Sequence, residues 1–324
     1  MRNTDLGANA PRSVYRTVER LGRNSDGIVS FLGNVLKKKY GVKIDTVFMD
    51  WTSMYFEAPQ KGIVRVGYSR DKRPDRPQVT VGLSVDGESG MPVGLTVNPG
   101  NILDKTHFKD TFEQIYPLLS KDAMIVFDNG AYTLENAKML DSKGLGFVTR
   151  LQLNKTDDAF VEKNSDKWER LDDDISFMRT KASLGRTRYI FLSKKLRSDV
   201  LERYMHKLER DWNEMEIISK SIDKDKSPRK KHRNSNWFVD TKLYYRFPLE
   251  GVLKEDAIKR AFNKRKTGRE GLFVLFSNRP LTASEILEIY RSRNEIESSF
   301  RDLKHGIDWR PAICTSEDAI RRRI

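Results

Sequence analysis

The chain has 324 residues, enough for two domains or one large domain carrying an insertion at roughly 100 to 200 residues per domain. With 33% charged and 38% hydrophobic residues, it should fold around a real core beneath an unusually charged surface, which excludes a disordered tail. A formal net charge of +14 favours polyanionic partners, nucleic acid foremost, and a single cysteine excludes an internal disulfide or a cysteine-rich zinc site.

No apolar run approaches the roughly 18 residues that span a bilayer. The opening Met1–Asp5 lacks the apolar segment of a secretory signal. The expectation is a soluble intracellular protein with no membrane partner. His107, His206, His232 and His305 show no ligand spacing, so oxygen must hold any bound metal, as magnesium and manganese prefer.

Residues 12–40 read as two helices split by Gly22–Gly27, giving an N-terminal helical segment over residues 1–43. From Ile44 the pattern changes to short β-branched and aromatic runs: Ile44–Asp50, Val64–Tyr68, Val79–Val85 and Pro92–Val97, the last two joined by the turn Asp86–Gly90. A helix over Lys105–Leu119, a strand Ala123–Phe127, a helix Thr133–Lys143 and a strand Phe147–Leu151 follow. Strands first, then strand and helix in alternation, predict an α/β fold with a mixed sheet flanked by helices, its first part over residues 44–151.

Residues 152–270 are dense in charge and read as an inserted α+β domain, with strands at Arg188–Ser193 and Trp237–Tyr245 and a long helix at Leu196–Ser219. Within it, Ser227–Arg233 is a basic loop and Trp237 an aromatic beside it, suited either to a core or to stacking on a base. The order resumes over residues 271–324 with a strand Gly271–Ser277 and a helix capped by Thr282 or Ser284.

The stretch from Ile289 to Pro311 reads as one helix. At about 100° per residue, Tyr290, Arg293, Glu297 and Lys304 fall in a band roughly 60° wide beside the apolar stripe Ile289, Ile296, Phe300, Leu303 and Ile307, and Arg301 lies within about 20° of it. Asp50 and Asp128 each end an apolar strand, where open α/β sheets place their ligand crevices. Three converging carboxylates can hold two divalent cations for phosphoryl transfer. The same residues also suit strand-ending turns and a solvated helix face, and Asp45, Asp86 and Asp104 are further acids to choose from.

The blocks Asp50–Glu57, Gly67–Gln78, Pro99–Asp104 and Phe127–Asn136, with the spaced set Tyr290, Arg293, Glu297 and Lys304, resemble in order the blocks of DDE transposases. The likeness is to the insertion-sequence group marked by a Tyr-Arg-Glu-Lys signature. It implies a ribonuclease H-like catalytic fold, interrupted by the insertion domain before the last acidic helix. It implies Asp50, Asp128 and Glu297 as catalytic residues binding two Mg²⁺ or Mn²⁺ ions, with Tyr290, Arg293, Lys304 and Arg301 positioning phosphates beside them.

Arg70, Lys72, Arg73 and Arg76, in a proline-rich loop, are candidates for the DNA backbone or for a solvated turn. Asn101 and Asp104 match a recurring block that can fix a loop near the site. The resemblance further implies cut-and-paste transposition acting on double-stranded element ends and target DNA, a possible homodimer on DNA, and a cytoplasmic, nucleoid-associated location in a prokaryote. Relatives carry a DNA-binding region before the first aspartate and apolar helix after the acidic one, whereas here 49 residues precede Asp50 and the chain stops at Ile324. Two other expectations therefore stand beside an active transposase: a truncated, catalytically idle DNA-binding remnant, and a structure-selective nuclease on the same fold.

Overall fold

The structure, a computed structural model, describes residues 16–17, 20–41, 44–57, 59–180, 182, 185–221 and 253–306. In chain order the elements are α1 (Ser25–Tyr40), β1 (Ile44–Tyr55), β2 (Gln78–Asp86), β3 (Pro92–Pro99), α2 (Asp104–Ile115), β4 (Leu119–Phe127), α3 (Leu134–Ser142) and β5 (Gly146–Leu151). Then come α4 (Lys155–Lys163), β6 (Glu169–Arg170), β7 (Ile175–Arg179), β8 (Thr187–Ser193), α5 (Lys194–Ser221), α6 (Lys254–Arg265), β9 (Leu272–Ser277), α7 (Ala283–Arg291) and α8 (Asn294–Gly306). The described residues divide into two compact units. One comprises those up to Gln152, Thr180–Arg188 and those from Leu275 onward; the other comprises those within Leu153–Arg179 and Tyr189–Val274.

In the first unit the strands run in the order β3-β2-β1-β4-β5-β9. β1, β2 and β3 form an antiparallel meander, while β1 with β4 and β4 with β5 pair in parallel. This is the mixed α/β layer expected. Side chains alternate between the faces of a strand. On one face Val47, Met49 and Trp51 of β1, Ile125 and Phe127 of β4, and Phe147 of β5 meet Phe108, Phe112 and Ile115 of α2 and Ala137 and Leu140 of α3. The spacing of the α2 residues, four and then three apart, puts them on one helical face, and burying each such side chain stabilises the fold by about 1.5–3 kcal/mol. Phe48, Val126 and Val148, also buried, project to the opposite face. α8 packs against β1 and β2, and α7 against β5.

Behind β1 lies a buried polar network. Trp51 Nε1 donates to Thr111 Oγ1 at 3.1 Å, Thr96 Oγ1 bonds Thr111 Oγ1 at 2.9 Å and His107 Nε2 at 2.8 Å, and Thr80 Oγ1 meets His107 Nδ1 at 3.2 Å. Burial pushes the His107 imidazole down to about 4, against the pull of Asp110 and helped by the charge of Arg70. The ring is therefore neutral at physiological pH and bonds through both nitrogens. Gly82 leaves room for this network, because a Cβ there would lie 2.5 Å from Thr111 Oγ1, 2.7 Å from Thr96 Oγ1 and 2.8 Å from Trp51 Nε1.

In the second unit β6, β7 and β8 are antiparallel, and Phe177, Tyr189, Phe191 and Phe273 form a chain of ring contacts. α5 and α6 pack through Leu208, Trp212, Ala257, Ile258 and Ala261. Arg269 is ion-paired with Asp158, and its guanidinium also donates to the Leu153 carbonyl at 3.3 Å.

Several expectations change. Val64–Tyr68 is not a strand: it makes only the isolated bridges Lys61↔Val64 and Arg65↔Gln78, because Gly62 turns the chain with φ of 56° and Gly67 lies against the Gly100 carbonyl. The break expected at Gly22–Gly27 narrows to Asn24, whose side chain donates to the Arg20 carbonyl at 2.8 Å. The helix expected to reach Leu119 ends at Ile115, since Pro117 lacks the N–H to continue it and the chain closes with the short 3₁₀ turn Tyr116–Leu118. The short strands β6 and β7 went unread, and Trp237–Tyr245, the basic loop and residues 307–324 lie outside the described residues. Among the described residues, no helix is long and apolar enough to cross a membrane.

A pair of glycine substitutions tests the packing. Gly82→Ala forces a methyl into the polar network and should destabilise the protein by about 1–3 kcal/mol. Gly27→Ala, in α1 with nothing within 4 Å of the added carbon, should stabilise it by about 0.5–1 kcal/mol. Urea unfolding midpoints of the two variants should move in opposite directions.

Candidate active site

Asp50 does not end its strand as expected. β1 continues to Tyr55 because its antiparallel partner β2 accompanies it that far, with Asp50 opposite Leu83. The parallel pairing with β4 stops sooner, the last pairs being Val47↔Ile125 and Phe48↔Val126. Continued by two residues, that register sets Asp50 beside Asp128, just beyond Phe127 at the end of β4. The pairing Phe127↔Thr149 carries the same rung on to Arg150 at the end of β5. Two aspartates and an arginine thus lie abreast on three parallel strands, on the face turned away from α2 and α3.

The backbone of Asp128 opens a short 3₁₀ turn, Asn129–Ala131, but its carboxylate does not cap that turn. It accepts instead from the Tyr290 hydroxyl at 3.2 Å. The expected single helix from Ile289 is two helices, α7 ending at Arg291 and α8 starting at Asn294. At the junction the Ser292 hydroxyl bonds back to the Glu288 carbonyl at 3.0 Å, a contact that competes with the helical ladder and bends it, and the Arg293 N–H closes a tight turn on the Tyr290 carbonyl at 3.2 Å. Arg293 therefore lies in the turn between helices.

From that turn the Arg293 guanidinium reaches all three candidate acids: Glu297 Oε1 at 3.0 Å, Asp50 Oδ2 at 3.7 Å and Asp128 Oδ1 at 3.8 Å. Arg293 is 11% exposed, Asp50 23%, Asp128 47% and Glu297 59%, so the cluster grades from buried to open. Burial pushes the Asp50 carboxyl up to about 6; Arg293, the Trp51 backbone N–H and Arg70 oppose the rise, and Asp128 adds to it. Burial likewise raises the Tyr290 hydroxyl to about 12, aided by Asp128 and opposed by Arg293 and Arg150. That hydroxyl keeps its proton and remains a donor.

The carboxylates gather around one guanidinium rather than one point, and among the described residues no three His, Cys, Asp or Glu side chains are grouped to hold a metal ion. The donor chemistry nonetheless fits a hard cation: three carboxylates outnumber the two arginines beside them, Arg293 and Arg150, and every donor is oxygen.

The remaining candidates fall in different places. Arg70 is ion-paired with Asp104, its backbone N–H is held by Ser53 Oγ at 3.0 Å, and Asp104 lies over Gly130, where a Cβ would meet its Oδ2 at 2.8 Å. That loop is thereby tied beside Asp128. Arg73 pairs with Asp75 at 3.1 Å and lies over the Tyr55 ring, and Arg76 pairs with Asp75 at 3.3 Å. Lys72 is exposed on left-handed backbone with φ of 58°. Arg301 donates to Ser298 Oγ at 3.1 Å and points along its own helix. The Lys304 side chain lies outside the described residues. Sequence reasoning passed over Arg150, whose only signal was a basic residue closing the strand after the one that ends in Asp128.

The profile of the family described as the transposase DDE domain matches residues 42–324. Among solved structures the chain is similar to piggyBac transposase in a cryo-EM synaptic complex with hairpin DNA: TM-score 0.41, 10% identity, covering 80% of this chain and 40% of that chain. It is also similar to Mos1 transposase in a pre-cleavage transpososome, with a TM-score of 0.22 and 11% identity over 40% of this chain and 42% of that one. A paired-end complex of Mos1 transposase with the left transposon end gives a TM-score of 0.23 and 14% identity over 41% of each chain. The chain therefore spans less than half the length of these transposases. Comparison with curated proteins found no match.

The Asp50 shift has a defined sign. Because the folded carboxyl holds its proton up to about 6 against an ordinary value of 3.8, its contribution to stability is fully present below pH 3.8 and is lost as pH rises through 6. In chelator, thermal unfolding of the wild type should carry this fall, and Asp50→Asn should remove it. An unchanged pH profile in that variant would contradict the burial of this carboxyl.

Proposed function

The chain belongs to the transposase DDE domain family, and on that premise we propose that it is a DNA transposase of the insertion-sequence group marked by the Tyr-Arg-Glu-Lys signature. Its reactions are phosphodiester hydrolysis at the ends of a mobile element and strand transfer into target DNA. Double-stranded DNA is the partner, with two chains bringing two ends together in the prokaryotic cytoplasm. One observation carries this reading: Asp50, Asp128 and Glu297, far apart in sequence, meet the same Arg293 guanidinium within 3.8 Å.

Asp50, Asp128 and Glu297 would hold two Mg²⁺ or Mn²⁺ ions. When bound, such ions lower the pKa of an attacking water or 3′-hydroxyl and stabilise charge on the leaving oxygen. The chain's own residues do the rest. The partial burial of Asp50 strengthens the charge interactions on the inner side of the site. The Tyr290 hydroxyl orients Asp128 by donating to it. Arg293 and Arg150, with Lys304 and Arg301 further along the helix, present cations to a scissile phosphate, a role suited to forked guanidinium groups. Arg70, fixed by Asp104 and Ser53, lines the approach for the DNA backbone. Lys72 and Arg73 extend that path.

The net charge of +14 supports backbone binding, which is set by phosphates rather than by the acids. Asp128→Asn and Glu297→Gln should therefore abolish nicking and joining of an element-end substrate in Mg²⁺ while leaving most of the duplex affinity measured in chelator intact. Cleavage retained by Glu297→Gln would remove that residue from the site. Nicks without joined products would mark a nuclease, and binding alone an idle remnant. Duplex affinity should fall linearly on a log-log plot with salt, with a slope near −0.9 for each phosphate contacted.

A further inference from the structure

Three carboxylates and one guanidinium share the cluster, and their contacts to that guanidinium are of two kinds. Only Glu297, the most exposed acid, hydrogen-bonds it, at 3.0 Å. Asp50 and Asp128 stand off at 3.7 and 3.8 Å, in electrostatic range but beyond hydrogen-bond length. Arg293 Nη1 is buried and has no hydrogen-bond partner. The guanidinium is thus held mainly by charge, with donor capacity unspent. Arg70 and Arg301 are held by Asp104 and Ser298, and Arg150 stands on the same strand rung as the two aspartates.

The position of Arg293 also explains why the acids do not close up as ligands. A guanidinium between carboxylates balances part of their charge and fills the space they would otherwise share. A divalent ion entering the same cluster meets a like charge as well as its ligands. A DNA phosphate offers Arg293 what the cluster does not: paired oxygens that satisfy both arms of the fork.

We infer that Arg293 is an internal counterion that competes with the divalent cations, so that DNA phosphate, by drawing its guanidinium away, makes metal and DNA bind cooperatively. The inference rests on the acidic cluster being the metal site proposed above. Its consequence is economy of timing: the ions load fully only when DNA is in place, and the linkage is reciprocal, with metal tightening DNA to the same degree.

The test is Mn²⁺ binding, read from the paramagnetic resonance signal of free ion during titration of the full, metal-free chain. Wild type alone should bind weakly, and a short duplex should tighten binding about tenfold, the effect expected from removing one like charge within about 4 Å. Arg293→Gln should bind about tenfold tighter than wild type without DNA and gain little from the duplex. Arg293→Lys, which keeps the charge, should bind as weakly as wild type. Equal Mn²⁺ affinity in wild type and Arg293→Gln, or an equal gain from duplex in both, overturns the inference. So does a wild-type affinity that DNA leaves unchanged, an arm that depends on no variant folding. Absence of Mn²⁺ binding to every protein, with and without duplex, overturns the metal-site reading itself.

Discussion

Two aspartates set abreast on neighbouring parallel strands repel each other, and one of them is mostly buried. That arrangement is stable only with positive charge between or beside them. The register of β1 on β4 creates the problem by placing Asp50 level with Asp128, and the turn between α7 and α8 answers it by bringing in Arg293. Much of the surrounding structure serves this contact. The polar network of Trp51, Thr111, Thr96, His107 and Thr80 braces the back of β1, and Gly82 leaves the space it needs. Tyr290 fixes Asp128 from the other side.

The cost is visible in the carboxyl of Asp50, which burial lifts to about 6 although Arg293 opposes the shift. Groups perturbed by burial and by specific charges cluster where chemistry is done. Asp50, Tyr290 and Arg293 form such a cluster, and the proposed phosphoryl transfer gives it a purpose.

The loop of residues 67–76 shows how a basic stretch is divided by its partners. Arg73 and Arg76 share one exposed partner, Asp75, while Arg70 is tied to Asp104 next to the turn that follows Asp128. Equal charge in the sequence becomes unequal availability in the fold. Composition reports the sum of charges and cannot report their pairing.

Much of the layout of the candidate site was legible from sequence. Apolar runs ending in Asp50 and Asp128 marked strand positions, and the steps of three and four from Tyr290 to Arg293 to Glu297 placed those side chains near one another, because alternation along strands and 3.6-residue periodicity in helices are local properties of the chain. The same local reasoning missed what depends on distant partners. Asp50 proved to lie within a longer strand, since β2 and not β1 decides how far pairing runs. The acidic helix proved to be two, since a serine contact and a turn settle its break. Arg150 entered only through the register of β5 on β4. Above all, no pattern in the chain says that the three acids meet on one guanidinium: that contact joins residues up to 243 positions apart, from Asp50 to Arg293, and only the pairing of strands and the packing of helices against them bring it about.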